Sequence, residues 1–344
     1  MPLTILIVGA GIGGFTAAVA LRQAGHQVTV LEKHENKREV GFAVSLPPNS
    51  TRVLRSLGLD FKKVRASKFG GIAFAKAERS EYEILAQLQD DAEDQYGAPS
   101  LAAHRVDLHN ALRELATGPG AGTPVNVLEG ITVTAYSPSA GSVTLEDGRT
   151  MTADVIVAAD GVKSTAHKHI IGEERPTTLS RLSNVRFCVP TETMLQNPLL
   201  KKTLPNGSDY PTLYRGTDPD VMLLRYPCRD HTLQNFGCYA LTHSPSPTTA
   251  AAHWTTEPTL SILLHRLSGF DPTIREIAHL ADPTDMYLWK VLDRDPLPAY
   301  HRGRMILLGD AAHAMQPTFG MGATFAVEDA GVLGVVLRDV HDRA

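Results

Sequence analysis

Three glycines, Gly9, Gly11 and Gly14, follow an apolar run, LTILIVGA, and open a stretch, FTAAVALRQAG, whose apolar residues recur at helical spacing. A buried strand that turns on such glycines into a helix makes an anion site. Gly9 permits the tight turn, Gly11 lets the backbone approach a pyrophosphate and Gly14 allows close helix packing, while the helix N-terminus presents free N–H groups. Gly13 belongs to the same turn. Glu32, with Lys33 beside it, ends the next strand, HQVTVLEK, about 20 residues on, where a carboxylate can accept hydrogen bonds from a ribose hydroxyl. The constellation reads as a dinucleotide site and leaves open which dinucleotide.

Two more carboxylates stand at predicted strand ends: Asp160 with Gly161 after ADVIVAA, and Asp310 after RMILLG with Gly309 before it. Open α/β sheets bind ligands at the C-terminal edge of their strands, where both would lie. No metal site is expected. Of the 14 histidines, His167 and His169 are the closest spaced in this region, but two residues apart on a helix they face different ways, and a solvated surface suits them better. The 3 cysteines, Cys188, Cys228 and Cys238, form no CxxC spacing and read as residues of a reducing compartment, hence a cytoplasmic protein. A net charge of −4 offers no general attraction to nucleic acid or anionic lipid, and no apolar segment reaches the ~18 residues of a membrane helix. A small-molecule partner follows, with the protein a monomer or homodimer.

The elements that must position these residues are a strand, turn, helix and strand over residues 3–33, amphipathic helices over 50–57 and 105–115, and a polar irregular stretch between them. Residues 117–124, TGPGAGTP, carry 3 glycines with no strand ahead of them and read as a surface loop. Hairpin strands are expected over 125–133 and 142–145, closed by Glu146, Asp147 and Gly148. Strand candidates of mixed character at 184–189, 221–226 and 235–241 suggest a second sheet, largely antiparallel. A short apolar strand, RMILL, then leads into a last helix from about residue 323.

The stretch GRMILLGDAAHAMQP, taken with the glycine turn and the Ala159, Asp160, Gly161 motif, resembles the flavoprotein aromatic hydroxylases, the family of p-hydroxybenzoate and salicylate hydroxylases, and its salicylate-hydroxylase-like branch in particular. The likeness spans almost the whole chain. It implies an α/β fold in which a Rossmann-like FAD-binding domain carries an inserted, largely antiparallel β-sheet substrate domain. Residues 1–70, 101–180 and 293–344 would form the first and residues 71–100 and 181–292 the second. Family chains continue with further C-terminal helices.

The resemblance also implies roles. Asp310, after Gly309, would bind the ribityl chain of FAD, and Pro317 would approach the flavin ring. Gly320, Met321 and Gly322, with Ala323, replace the family's Gly-Gln-Gly and would offer backbone N–H groups to the reduced flavin's negative charge. Arg105 would reach the FAD phosphates or ribityl chain, Gly41 and Ala43 would let their segment pass beside the ring, and Asp160 and Gly161 would serve both FAD and nicotinamide. The family's motif arginine is His167 here, near the expected nicotinamide path. LLRYPCRD and LQNFGCY resemble the floor of the substrate cavity and single out Arg225, Tyr226 and Asn235; Arg225, Tyr226 and His104 are the candidates for a proton-transfer role. NADH or NADPH would reduce FAD as a transient co-substrate, since no second glycine turn is present, and dioxygen would form a flavin C4a-hydroperoxide that hydroxylates a small aromatic, typically phenolic, substrate. On the residues alone a nicotinamide dehydrogenase, or an FAD-binding protein without monooxygenase activity, stays open.

Overall fold

The computed structural model describes residues 1–35, 41–79, 81–204, 209–241, 254–255, 259–317 and 320–340. Its first sheet has six strands, in the order His301–Arg302, Met305–Leu307, Val155–Ala158, Thr4–Val8, Gln27–Glu32 and Asn126–Glu129. Every pairing is parallel except that of the first two. Ile5, Ile7, Val30 and Val157 are buried, as parallel strands covered on both faces require. Helix Ile12–Gln23 packs between this sheet and the last helix, Gly322–Val336. The fit depends on missing side chains: a Cβ at Gly13 would lie 2.7 Å from Leu308, and one at Gly334 would lie 2.8 Å from Ala20.

The second sheet has eight strands, in the order Trp254–Thr255, Tyr287–Asp293, Thr178–Pro190, Leu233–Leu241, Val221–Cys228, Thr212–Arg215, Gly71–Glu78 and Glu81–Gln89. All pairs are antiparallel but one, Thr212–Arg215 with Gly71–Glu78. Side chains alternate between its faces with the period of a strand. Val185, Phe187, Leu223 and Phe236 pack under helices Thr259–Arg266 and Pro272–Leu280 through Leu263, Ile274 and Ile277. Arg186, Tyr226 and Asn235 lie on the opposite face, turned toward the first sheet. Among the described residues no helix is long and apolar enough to cross a membrane.

Two expectations change. Residues 125–133 do not begin a hairpin: Asn126–Glu129 runs parallel to Gln27–Glu32 as an edge strand of the first sheet, and Gly130 then turns the chain. The hairpin is Val133–Ser137 with Ser142–Leu145, followed through the Glu146, Asp147, Gly148 turn by Thr150–Thr152. The polar stretch before residue 105 is not irregular either. It supplies the edge pair Gly71–Glu78 and Glu81–Gln89, whose charged residues face solvent on an edge strand and so hide the alternation of the alanines Ala73, Ala75 and Ala77.

Candidate active site

At the C-terminal edge of the first sheet, Gly9 takes φ +105° and lies so close to Ala159 that a Cβ would overlap its carbonyl oxygen; only glycine fits both demands. A Cβ on Gly14 would overlap the Gly9 carbonyl oxygen in turn, so the helix begins tight against the strand. Gly11, by contrast, faces open space, with nothing within 4 Å of its Cβ position and no side chain capping the helix behind it. Glu32 is held at the next strand end by the Ala10 N–H at 2.9 Å and the His34 N–H at 3.1 Å. It lines a small pocket with Ala10, Phe15, His34, His109, Arg113 and Glu129. Open backbone at Gly11 and a carboxylate at the next strand end thus share one edge.

Farther along the edge, Asp160 accepts a hydrogen bond from the Tyr136 hydroxyl at 2.9 Å, while its other oxygen is buried with no partner among the described residues. Burial raises its pKa, against the opposing pull of its hydrogen bonds and of Lys33. Asp310 is open to water at the bottom of the same cleft, yet protein crowds its carboxyl closely enough that lost hydration raises its pKa; His313, Arg105 and Arg294 pull the other way. The loop bearing Asp310 is pinned by Asp329, whose carboxylate accepts the Gly309 N–H at 2.9 Å and meets His313 Nε2 at 2.7 Å. Burial opposes the charge of His313, but Asp329 outweighs it and the pKa rises. Arg294 ties this loop to the Asp160 loop, donating to the Ala311 carbonyl at 2.7 Å and the Ser164 carbonyl at 3.2 Å.

Met321 precedes helix Gly322–Val336, whose first turn has no side-chain cap, so the N–H groups there remain available to a ligand. A Cβ at Gly322 would lie 3.9 Å from Asp310 Oδ1, and one at Gly320 would lie 3.4 Å from Ser45 Cβ. The last helix, Asp310 and strand Ala43–Leu46 therefore border one cleft. Pro317 is half-buried beside them, and Gln316 donates to Asp293 at 3.2 Å, fastening the loop to the end of the second sheet.

The second sheet grips the segment through one residue. The Ala43 N–H donates to Asn235 Oδ1 at 3.1 Å, and the Ala43 carbonyl accepts from the Tyr226 hydroxyl at 2.7 Å and from Arg186 Nη2 at 2.6 Å. The Arg186 guanidinium also lies 4.9 Å from the centroid of the Phe42 ring. Ala43 and His104 are opposed in the small sheet, but Arg105 N–H donates to the Phe42 carbonyl, so the Ala43 amide groups point away from that ladder and toward the second sheet. Gly41 passes close to His104, since a Cβ there would lie 2.7 Å from the ring. Burial, then the charge of Arg229, lowers the pKa of His104 and keeps it neutral. Arg229 in turn forms a two-point ion pair with Asp107 at 2.7 and 2.8 Å, on the helix that Arg105 opens.

Arg225 does not belong to this face. Its alternation along strand Val221–Cys228 carries it to the helix-covered side, where it is fully buried and donates to Gln234 Oε1, Thr212 Oγ1 and the Tyr210 carbonyl. It is a structural cation there. Tyr226 does face the cleft, but its hydroxyl is committed to Ala43. His167 is not solvated: it is buried, and its Nε2 accepts the Arg175 N–H at 3.0 Å. Burial, and then Arg294, lowers its pKa, so it offers no cation near neutrality. His169 is half-buried against Tyr136. Arg186, Arg294, Tyr136 and Asp329 were not singled out by sequence, because none lies in a glycine-marked turn; Asp329 alone, one helix turn from buried positions, carried a signal.

The FAD binding domain family matches residues 3–343 of the chain. Over 345 residues the chain is 34% identical to the FAD-dependent monooxygenase cfoG of Aspergillus candidus, covering 99% of this chain and 79% of that protein. It is 30% identical to hispidin-3-hydroxylase of Neonothopanus nambi, covering 97% and 80%, and 30% identical to 3-amino-4-hydroxybenzoate 2-monooxygenase PtmB3 of Streptomyces platensis, covering 97% and 79%. Among solved structures, a salicylate hydroxylase substrate complex superposes with a TM-score of 0.76 at 25% identity, covering 99% and 81%. HpxO of Klebsiella pneumoniae in complex with FAD shares the fold, with a TM-score of 0.80 at 24% identity over 99% and 82%. A glycine turn open at Gly11, carboxylates at three strand ends and an uncapped helix over Asp310 are what an extended dinucleotide cofactor needs, and with these relatives they place the chain in the flavoprotein aromatic hydroxylase family of FAD-dependent monooxygenases.

Proposed function

We propose that NADH or NADPH is the reductant of this FAD-dependent hydroxylase and that dioxygen is its oxidant, the substrate being a small phenolic or otherwise electron-rich ring. FAD supplies the redox chemistry when bound, and the chain supplies binding, orientation and exclusion of water. In this reading the pyrophosphate lies at Gly11 and the helix behind it, the adenosine ribose at Glu32, and the phosphates or ribityl chain at Arg105 and Asp310. The ring lies between the segment of Gly41 and Ala43 on one side and Pro317 with residues 320–323 on the other. First-turn N–H groups of the last helix would face negative charge on the reduced ring without having to reorganise.

One observation carries the arrangement: Ala43 is held at both its N–H and its carbonyl by the second sheet, while Gly320 abuts Ser45 of the same strand. A ring lodged at that junction has the second sheet as the floor beneath its substrate. The same arrangement supports a division into a cofactor domain of residues 1–70, 101–180 and 293–344 and a substrate domain of residues 71–100 and 181–292. Tyr226 acts here by positioning Ala43 and not as a proton carrier. The test is a visible flavin spectrum in the purified protein, its anaerobic bleaching by NADH and NADPH in parallel, and incorporation of labelled oxygen from dioxygen into a phenol. A protein that binds flavin but passes no label to any phenol sinks the proposal.

A further inference from the structure

The face of the second sheet that grips Ala43 continues one row along its strands, beyond the residues used in that grip. Register places Asn184 opposite Trp289 on one side and Tyr239 on the other, with Met222 opposite Tyr239 in turn. Directly opposed residues share a face, so these four side chains form one row across four strands. Asn184 is 3% exposed, and its Oδ1 is buried with no hydrogen-bond partner among the described residues; the same holds for the Trp289 Nε1. Gly237 makes the room: a Cβ there would lie 3.2 Å from Asn184 Oδ1 and 3.0 Å from the Tyr239 ring. A buried amide oxygen and a buried indole N–H left unpaired side by side are costly unless a bound group completes them.

We propose that Asn184, Tyr239 and Trp289 form the substrate-recognition subsite of the hydroxylase, and that it selects an uncharged ring bearing a hydroxyl or carbonyl, such as a neutral phenol or hydroxypyrone, over a ring carboxylate. This rests on the monooxygenase reading above. An acceptor at Asn184 Oδ1 and a donor at Trp289 Nε1 match a hydroxyl or a hydroxyl–carbonyl pair, while Met222 offers an apolar surface to the ring. Nothing in the row carries charge. Burial raises the Tyr239 pKa, with Arg186 and Asn184 opposing, so the phenol stays protonated. Arg225 lies on the opposite face, and Arg186, one row along, directs Nη2 to Ala43 and Asn235 and stacks on Phe42. At its outer end the row reaches only the exposed Arg215, which donates to the Pro219 carbonyl, and Lys76, which is paired with Glu81. A carboxylate placed in the row would lose its hydration and meet only Arg186, a row away, whose Nη2 is already shared among the Ala43 carbonyl, the Tyr226 hydroxyl and Asn235 Oδ1.

Isothermal titration calorimetry on the FAD-loaded protein decides the matter, using catechol and a hydroxypyrone against their carboxylated counterparts. The neutral ligand of each pair should bind roughly tenfold tighter in the wild type. Trp289→Phe keeps an aromatic ring but removes the N–H together with the fused pyrrole part of the indole, and should weaken the neutral ligand by about fivefold or more; Asn184→Leu, which removes the amide without opening a cavity, should do the same, and Asn184→Arg should turn the preference toward the carboxylate. Equal or tighter binding of the carboxylated ligands to the wild type overturns the proposal. So does neutral-ligand affinity unchanged in Trp289→Phe, the variant that leaves the fold least disturbed. The monooxygenase reading fails separately, through a wild-type protein that retains no flavin or forms no oxygenated product, since the ligand ranking is read from binding alone.

Discussion

Asn235→Leu and Tyr226→Phe remove the partners of the two backbone groups of one residue, Ala43, and the structure assigns them unequal consequences. Ala43 is 1% exposed, and its N–H donates to Asn235 Oδ1 at 3.1 Å. Leucine at 235 keeps the volume but leaves that N–H buried and unpaired, and it also removes an acceptor 3.3 Å from Arg186 Nη2. The cost of an orphaned buried amide is about 1 to 3 kcal/mol. Tyr226→Phe deletes one of two donors to the Ala43 carbonyl and leaves Arg186 in place at 2.6 Å, so its cost should be near or below about 1 kcal/mol. Urea denaturation of the holoprotein gives the stability term, fluorescence titration gives the flavin dissociation constant, and the ratio of NAD(P)H consumed to product formed reports how well the ring is seated. Asn235→Leu should lose more on all three. A larger stability loss in Tyr226→Phe would refute the division of labour at Ala43, and loss of turnover in Tyr226→Phe with flavin affinity intact would return Tyr226 to the chemistry.

Gly11→Val should abolish flavin retention, because in the proposed arrangement the open space at its Cβ position is taken by the pyrophosphate; full occupancy by visible absorbance would remove the basis of the assignment. Glu32→Ala should weaken FAD binding by about 1 to 3 kcal/mol, since the Ala10 N–H loses its acceptor as well as the ribose its partner, and an unchanged dissociation constant would take Glu32 off the ribose. Asp329 raises the folded-state pKa of His313, so their attraction is complete below the ordinary histidine value of about 6.5 and fades as pH rises through the higher folded value. The melting-temperature gap between wild type and Asp329→Asn should therefore be widest in mild acid and narrow toward alkaline pH; a gap that widens with pH contradicts the sign. His167 has a lowered pKa and is already neutral between about pH 7 and 8, so His167→Phe should leave the Michaelis constant for NAD(P)H unchanged there, and a histidine-dependent rise would restore His167 to the nicotinamide path.

The glycine turn and the strand-end carboxylates were legible in the sequence because their demands fall on local chemistry. Gly9 and Gly14 are required by contacts within a single turn, and Glu32, Asp160 and Asp310 each end an apolar strand that can be read without knowing its neighbours. The second sheet was legible only as a set of strands. Which face Arg225 and Tyr226 occupy is decided by strand phase, and LLRYPC, apolar or aromatic at nearly every position, gives no alternation from which to read it. For that reason Arg225 was paired with Tyr226 as a cleft residue although the strand turns the two to opposite sides. His167 misled for a different reason: its place in the motif is local, but its burial and its bond to the Arg175 N–H depend on how residues 172–175 fold back over it.

The two halves of the site are joined through strands that do both tasks. Thr178–Pro190 carries Asn184 in the polar row and Arg186 at the Ala43 carbonyl, and Leu233–Leu241 carries Tyr239 in the row and Asn235 at the Ala43 N–H. A group that settles against the row is therefore held by the same two strands that hold the segment beside the cofactor ring. Strands paired over residues 182–190 and 233–241 cannot slide singly without breaking the register, so the distance from row to segment is fixed by the ladder and not by a flexible loop. Rigidity of that kind suits a reaction in which the oxygen must be delivered to one carbon of a bound ring, because a misplacement of about 1 Å can cost on the order of 100-fold in rate. It also explains why the second sheet's part of the site holds so few acids and bases. The second sheet contributes a fixed distance and a set of neutral hydrogen-bonding groups, and Arg186 and Arg294 bond to backbone carbonyls that hold the bordering segments in place.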